Sequence, residues 1–155
     1  MKDLRRYGFG AAALVWLCVL VFFSSQSAAQ SDGVSHYVVN GWFNWLVRLG
    51  VPFESVNHIV RKLAHASGFA IEGFLCYMSL STRRTKKRAL LVSAGACALF
   101  AVGNELQQLF SAGRSCEVRD MCIDFGGALC GMLFGCALMI LINHRQRKGS
   151  TGETT

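Results

Sequence analysis

Hydrophobic and polar positions fall in long blocks along the chain. Residues 7–31 carry no charge, and the apolar part of this stretch runs from Gly8 to Phe23. Three further apolar blocks follow, from about Ile59 to Leu80, Ala89 to Phe110 and Met121 to Ile142. Each is close to the roughly 20 residues that a helix needs to cross a ~30 Å hydrocarbon core. The pattern predicts an all-α polytopic membrane protein with four transmembrane helices in a bundle. The stretch 32–57 is too polar to span. Within it Val38, Trp42, Trp45, Leu46 and Leu49 recur at helical spacing, giving one apolar face rich in Trp. That face marks an amphipathic helix in the first outer loop, lying in the membrane interface or packed on the mouth of the bundle. A membrane domain over 1–148 is then followed by a small polar tail, 149–155, expected to be disordered and cytoplasmic.

Composition agrees with this reading. Hydrophobic residues make up 52% of the 155, proline occurs once, and mean hydropathy is +0.36. A soluble domain of this size cannot hide that much apolar surface. The net charge of +7 comes from basic residues lying mostly outside the apolar blocks, which argues against a nucleic-acid face. With the N-terminus inside, 11 of the 16 Lys and Arg lie on the cytoplasmic side, and the excess of positive charge inside places both termini there. The first block also resembles a signal peptide, with Ser27-Ala28-Ala29 as a small-residue cleavage site. Either way the chain emerges outside. Five of the seven cysteines (Cys18, Cys76, Cys97, Cys130 and Cys136) lie in apolar blocks and behave as small hydrophobes. Cys116 and Cys122 flank an outer loop where a disulfide is chemically allowed. No zinc-like spacing occurs, and neither a metal nor another cofactor is expected.

The informative residues are ionisable ones inside the apolar blocks. His65, Glu72, Glu105, Gln108 and Asp124 lie within them, with Lys62 and Asp120 at their outer margin. A charge near the bilayer centre costs roughly 2.5–3.5 kcal/mol on insertion scales, so such residues face the bundle interior and find partners. At about 100° per residue, Lys62, His65 and Glu72 share one side of their helix, and Glu105 and Gln108 share another. Asp120, Asp124, Gly127, Gly131 and Gly135 form one stripe on the last helix. Its small residues allow close helix approach, within the bundle or in an oligomer through Gly127, Gly131 and Gly135. At ~1.5 Å per residue, His65 and Asp124 lie about 6–7 Å below the outer surface, level with Glu105 and Gln108, and Glu72 lies deeper. Lys62 falls in the first turn of a helix starting near Ile59. The positive macrodipole there favours an anion held between Lys62, Arg114 and Arg119. The carboxylates Glu105, Asp120 and Asp124 offer the alternative of an internal ion-pair network.

The order and spacing of these residues resemble one known family. Ser24-Ser25-Gln26 closes the first block, and Arg61-Lys62-Leu63-Ala64-His65 opens the second. Asn104-Glu105-Leu106-Gln107-Gln108-Leu109-Phe110 leads to Gly113-Arg114, then Val118-Arg119-Asp120 and Asp124-Phe125-Gly126-Gly127-Ala128. Over roughly residues 20–135 this set is similar to the VanZ-like family of small bacterial membrane proteins. The resemblance implies that Lys62, His65, Glu105, Gln108, Gly113, Arg114, Asp120 and Asp124 carry the family motifs. Phe69 and Asn104 stand where many relatives have Tyr and Asp, and are not carried over as functional. The founding member is associated with teicoplanin resistance, so the resemblance implies a cytoplasmic-membrane protein of the bacterial cell envelope, without an established reaction.

The functional expectation is binding of an anionic amphiphile at the outer leaflet, either a lipid-linked cell-wall precursor or an acidic phospholipid. Its ligand residues are Lys62, His65, Glu105, Gln108, Arg114, Arg119, Asp120 and Asp124. The alternatives are a membrane enzyme acting on such a lipid, with His65, Glu105 and Asp124 as catalytic candidates, and a structural scaffold.

Overall fold

The computed structural model describes residues 2–82 and 84–151, with side chains described over 7–82 and 84–145. Every regular element among them is helical. Helix α1 spans Lys2–Ser24, α2 Ala28–Val38, α3 Asn44–Arg48, α4 Phe53–Leu80, α5 Lys86–Gln108 and α6 Val118–Thr151. A π-helical turn, Val39–Phe43, joins α2 to α3. Helix starts carry the capping chemistry that their sequences offer. Ser27 and Gln30 form a reciprocal capping box on α2, and the Thr85 hydroxyl accepts the Arg88 N–H at the start of α5.

Three helices are long and apolar enough to cross a membrane, over Tyr7–Ser24, Lys86–Gln108 and Val118–Arg145. Only 11%, 33% and 22% of their residues are buried by protein, so most of their apolar surface faces outward. In water such a surface would drive association; in lipid it is solvated. The chain is a membrane protein. The second block is different. Helix α4 carries Glu54, Arg61, Lys62 and Glu72, and on apolarity it does not join the other three. It is instead the helix on which the others converge, packing most extensively on α6 and then on α1 and α5. Its buried face holds Gly68, Phe69, Glu72, Gly73, Tyr77 and Met78, while Ile59, Leu63 and Ile71 are exposed. A helix face covered by protein tolerates polar residues that a lipid-facing one does not.

The structure refines the Trp-faced segment between α1 and α4. The face is carried by a helical run that passes through a π turn containing Gly41 and ends before Gly50 and Pro52. Gly50 adopts a φ of 93°, a left-handed conformation that other residues resist. That face does not pack on the bundle. Ser35 and Val39 point inward, whereas Trp42, Trp45 and Leu49 are exposed. The tail expected to be disordered continues α6 as far as Thr151, and 152–155 fall outside the described residues.

The glycine stripe is consumed inside one chain. Gly127 and Gly131 of α6 abut the backbone of Ala66 and Ala70 on α4, and Gly73 of α4 abuts Ala128. Gly135 faces Tyr77 and Phe74. These contacts set how closely α4 and α6 approach, and so where the polar residues of the two helices meet.

Candidate functional site

Helices α4, α5 and α6 bring their polar residues together toward the ends nearest the loop 109–117. Lys62 of α4 forms a salt bridge with both carboxylate oxygens of Asp120. One turn deeper, His65 Nδ1 faces Asp124 Oδ1 at 3.5 Å. Asp124 is completely buried, its Oδ2 accepts from Asn104 Nδ2 at 3.2 Å, and its Oδ1 accepts no hydrogen bond. Glu105 is equally buried. Gln108 Nε2 donates to its Oε1 at 2.7 Å, and the backbone N–H of Glu117 donates to its Oε2 at 3.1 Å.

These partners sort the candidate residues. The Glu117 carbonyl accepts from the N–H groups of Asp120 and Met121, which makes Glu117 the residue that opens α6. Glu105 therefore reaches across from α5 to satisfy that helix start. Its two hydrogen bonds tie the end of α5 to the beginning of α6. Lys62 is not in a first turn, because α4 begins at Phe53, and the dipole argument for an anion at Lys62 falls with that. Its charge is answered by Asp120 instead. Arg119 is exposed at the start of α6 and, among the described residues, makes no ion pair with this cluster.

Beside the cluster lies a cavity of about 360 Å³ between α1, α2 and α4. Its walls are mostly apolar, including Trp16, Leu20, Phe23, Val34, Val38 and Ile71. Trp16 is fixed by donating Nε1–H to the Gly68 carbonyl at 2.8 Å. Polar groups share the lining: Arg61, His65 and Arg114 all line the same space. Arg61 Nη1 bonds Asp32 Oδ1 at 2.7 Å, which leaves its other nitrogens uncommitted to that carboxylate. Arg114 Nε is buried and has no hydrogen-bond partner. Burial pushes the Arg114 pKa below its ordinary value, and the charge of Arg61 adds to the shift, against Glu105 and Asp32. A guanidinium stays protonated all the same. Two guanidiniums lining one cavity, one with an unanswered donor, form a place for an anion.

Among known protein families, the VanZ/LLP1 family model matches residues 9–142, from the first turns of α1 into the last part of α6. The chain belongs to this family. No curated protein and no solved structure matches it.

Within this VanZ/LLP1 chain, several residues of the site were not singled out from sequence. Arg61 is one turn before His65, and that spacing of four is the signal that could have found it. Trp16 lines the cavity and Asp32 pairs with Arg61 through tertiary packing that no spacing reveals. Asn104, set aside as a departure from the family pattern, holds the buried Asp124. Glu72 lies apart, buried in the bundle, with Cys76 Sγ donating to its Oε1 at 3.2 Å. Cys116 and Cys122 are both free thiols. Among the described residues no group of three His, Cys, Asp or Glu is placed to hold a metal ion.

Proposed function

We propose that this protein crosses the bacterial cytoplasmic membrane four times, with both termini inside, and binds an anionic amphiphile from the outer leaflet. One observation carries the reading. A single cavity joins two guanidiniums, Arg61 and Arg114, to walls of Trp16, Leu20, Val34 and Ile71, as a headgroup and an acyl chain require. Helix α4 is the fourth span, its charges sheltered by its neighbours. The exposed Trp42 and Trp45 anchor the first outer loop in the headgroup layer. The candidate ligands are lipid-linked cell-wall intermediates and acidic phospholipids, and the proposed role is in envelope function and glycopeptide (teicoplanin) tolerance.

Lipid that copurifies with the protein tests this. Mass spectrometry is expected to find anionic lipid with the wild type and much less with Arg61→Ala/Arg114→Ala, while Arg119→Ala keeps it. Equal anionic lipid on all three proteins would remove the reading.

A further inference from the structure

Binding alone leaves one feature of the cavity unused. His65 turns Nδ1 toward Asp124, and the Asp124 oxygen facing it accepts no hydrogen bond although the carboxylate is fully buried. The opposite oxygen is held by Asn104. The open Asp124 oxygen is placed to accept an Nδ1–H, and an imidazole that donates there holds the tautomer that leaves its other nitrogen as a proton acceptor. The 3.5 Å separation is of the kind that tightens when a substrate arrives. His65 also lines the same cavity as Arg61 and Arg114.

The donor arrangement selects the chemical class. A carboxylate is planar and is satisfied by one guanidinium fork. Here two guanidiniums reach one cavity from different elements, α4 and the loop 109–117, and so suit the tetrahedral oxygens of a phosphoryl group. Among the described residues no serine or cysteine side chain hydrogen-bonds to His65, which favours water as the attacking group over a covalent phosphoryl-enzyme route.

We infer that this site hydrolyses a phosphate ester or phosphoanhydride on the amphiphile's headgroup, with His65 as general base and with Asp124 and Asn104 as positioning residues. The inference rests on the binding reading above. His65 Nε2 takes a proton from water as the water oxygen bonds to phosphorus. The bond from phosphorus to the bridging oxygen breaks, and its electron pair leaves on that oxygen, which takes a proton from solvent while the imidazolium returns its proton to solvent. A lipid monophosphate and water give a lipid alcohol and inorganic phosphate. A lipid diphosphate and water give a lipid monophosphate and inorganic phosphate. Arg61 and Arg114 neutralise the charge that gathers on the non-bridging oxygens.

The test uses the full chain reconstituted in phosphatidylcholine vesicles that contain either phosphatidic acid or a polyprenyl diphosphate, with glycerol phosphate in solution as a third substrate. Inorganic phosphate is expected from at least one lipid and not from glycerol phosphate, which has no chain for the apolar walls. His65→Gln is expected to lower release by about 100-fold or more while leaving retained anionic lipid within about twofold. Asn104→Ala is expected to lower kcat about tenfold at unchanged KM, and Asp124→Glu to recover part of what Asp124→Asn loses. A wild type that retains anionic lipid yet releases no phosphate from either lipid overturns the hydrolytic assignment alone. Release unaffected by His65→Gln also overturns it. A wild type that retains no anionic lipid overturns the binding reading and this inference together.

Discussion

The backbone of Gly131 lies against the carbonyl of Ala70 with no room for a Cβ between them. One turn earlier the same relationship joins Gly127 to Ala66, so α4 and α6 touch backbone to backbone over successive turns. That contact sets Asp120 and Asp124 opposite Lys62 and His65. Gly131→Val is therefore expected to push the helices apart, at a cost of about 1–3 kcal/mol or more, and to lower the apparent unfolding temperature in detergent. On the exposed side of α5, a Cβ added at Gly95 would meet nothing within 4 Å. Gly95→Ala is expected to be neutral or to stabilise by about 0.5–1 kcal/mol.

Glu105 makes a different prediction from a catalytic carboxylate. Each of its oxygens accepts one hydrogen bond, from Gln108 and from the Glu117 backbone. Glu105→Gln keeps the shape but gives up one acceptor, for a loss of about 1 kcal/mol. Glu105→Ala loses both and is expected to cost about twice as much. Thermal unfolding of the two variants, compared with retained lipid, checks this: stability should fall in that order while the anionic lipid remains.

Lys62 and Asp120 answer each other, so removing one should be worse than removing both. Lys62→Ala leaves a half-buried carboxylate without its cation and is expected to cost about 1–3 kcal/mol. Lys62→Met/Asp120→Leu is expected to recover most of that loss. A double-mutant cycle on unfolding temperature measures the coupling. If each single variant and the double variant are equally stable, the pair does not hold the helices.

Much of this arrangement was legible in the chain. Hydropathy located α1, α5 and α6, because a lipid-facing helix must be apolar along its length. Helical phase placed Asp124 with the glycine stripe, and depth put it level with His65 and Glu105. Phase names a face, however, and not the partner across from it. It could not tell that Lys62 reaches Asp120, that Arg119 points away, or that Glu105 closes the start of α6. The early start of α4 was hidden because Phe53–His58 is polar enough to read as loop. The break after α3 was foreshadowed only by Gly41, Gly50 and Pro52. The cavity depends on α1 and α2 folding over α4, and no periodicity in one segment reports that.

The four-span topology has its own check. Cys116 precedes α6, on the loop assigned to the outer side, and Thr85 caps α5 at the opposite end of the bundle. In a background where the other cysteines are replaced by alanine, a membrane-impermeant thiol reagent applied to intact cells should label native Cys116. It should label Thr85→Cys only after the cells are opened. The reverse pattern would invert the topology, and labelling of both in intact cells would place α4 or α5 outside the bilayer.

The most direct measurement is the affinity of delipidated protein for two lipids with the same acyl chains, one anionic and one zwitterionic, followed by native mass spectrometry. With Arg61 and Arg114 facing one apolar cavity, the wild type should prefer the anionic lipid by at least about tenfold, or about 1.4 kcal/mol. Arg61→Ala/Arg114→Ala should erase that preference and leave the zwitterionic affinity unchanged. Equal affinities for the wild type, or a preference that survives in the double variant, would contradict the account.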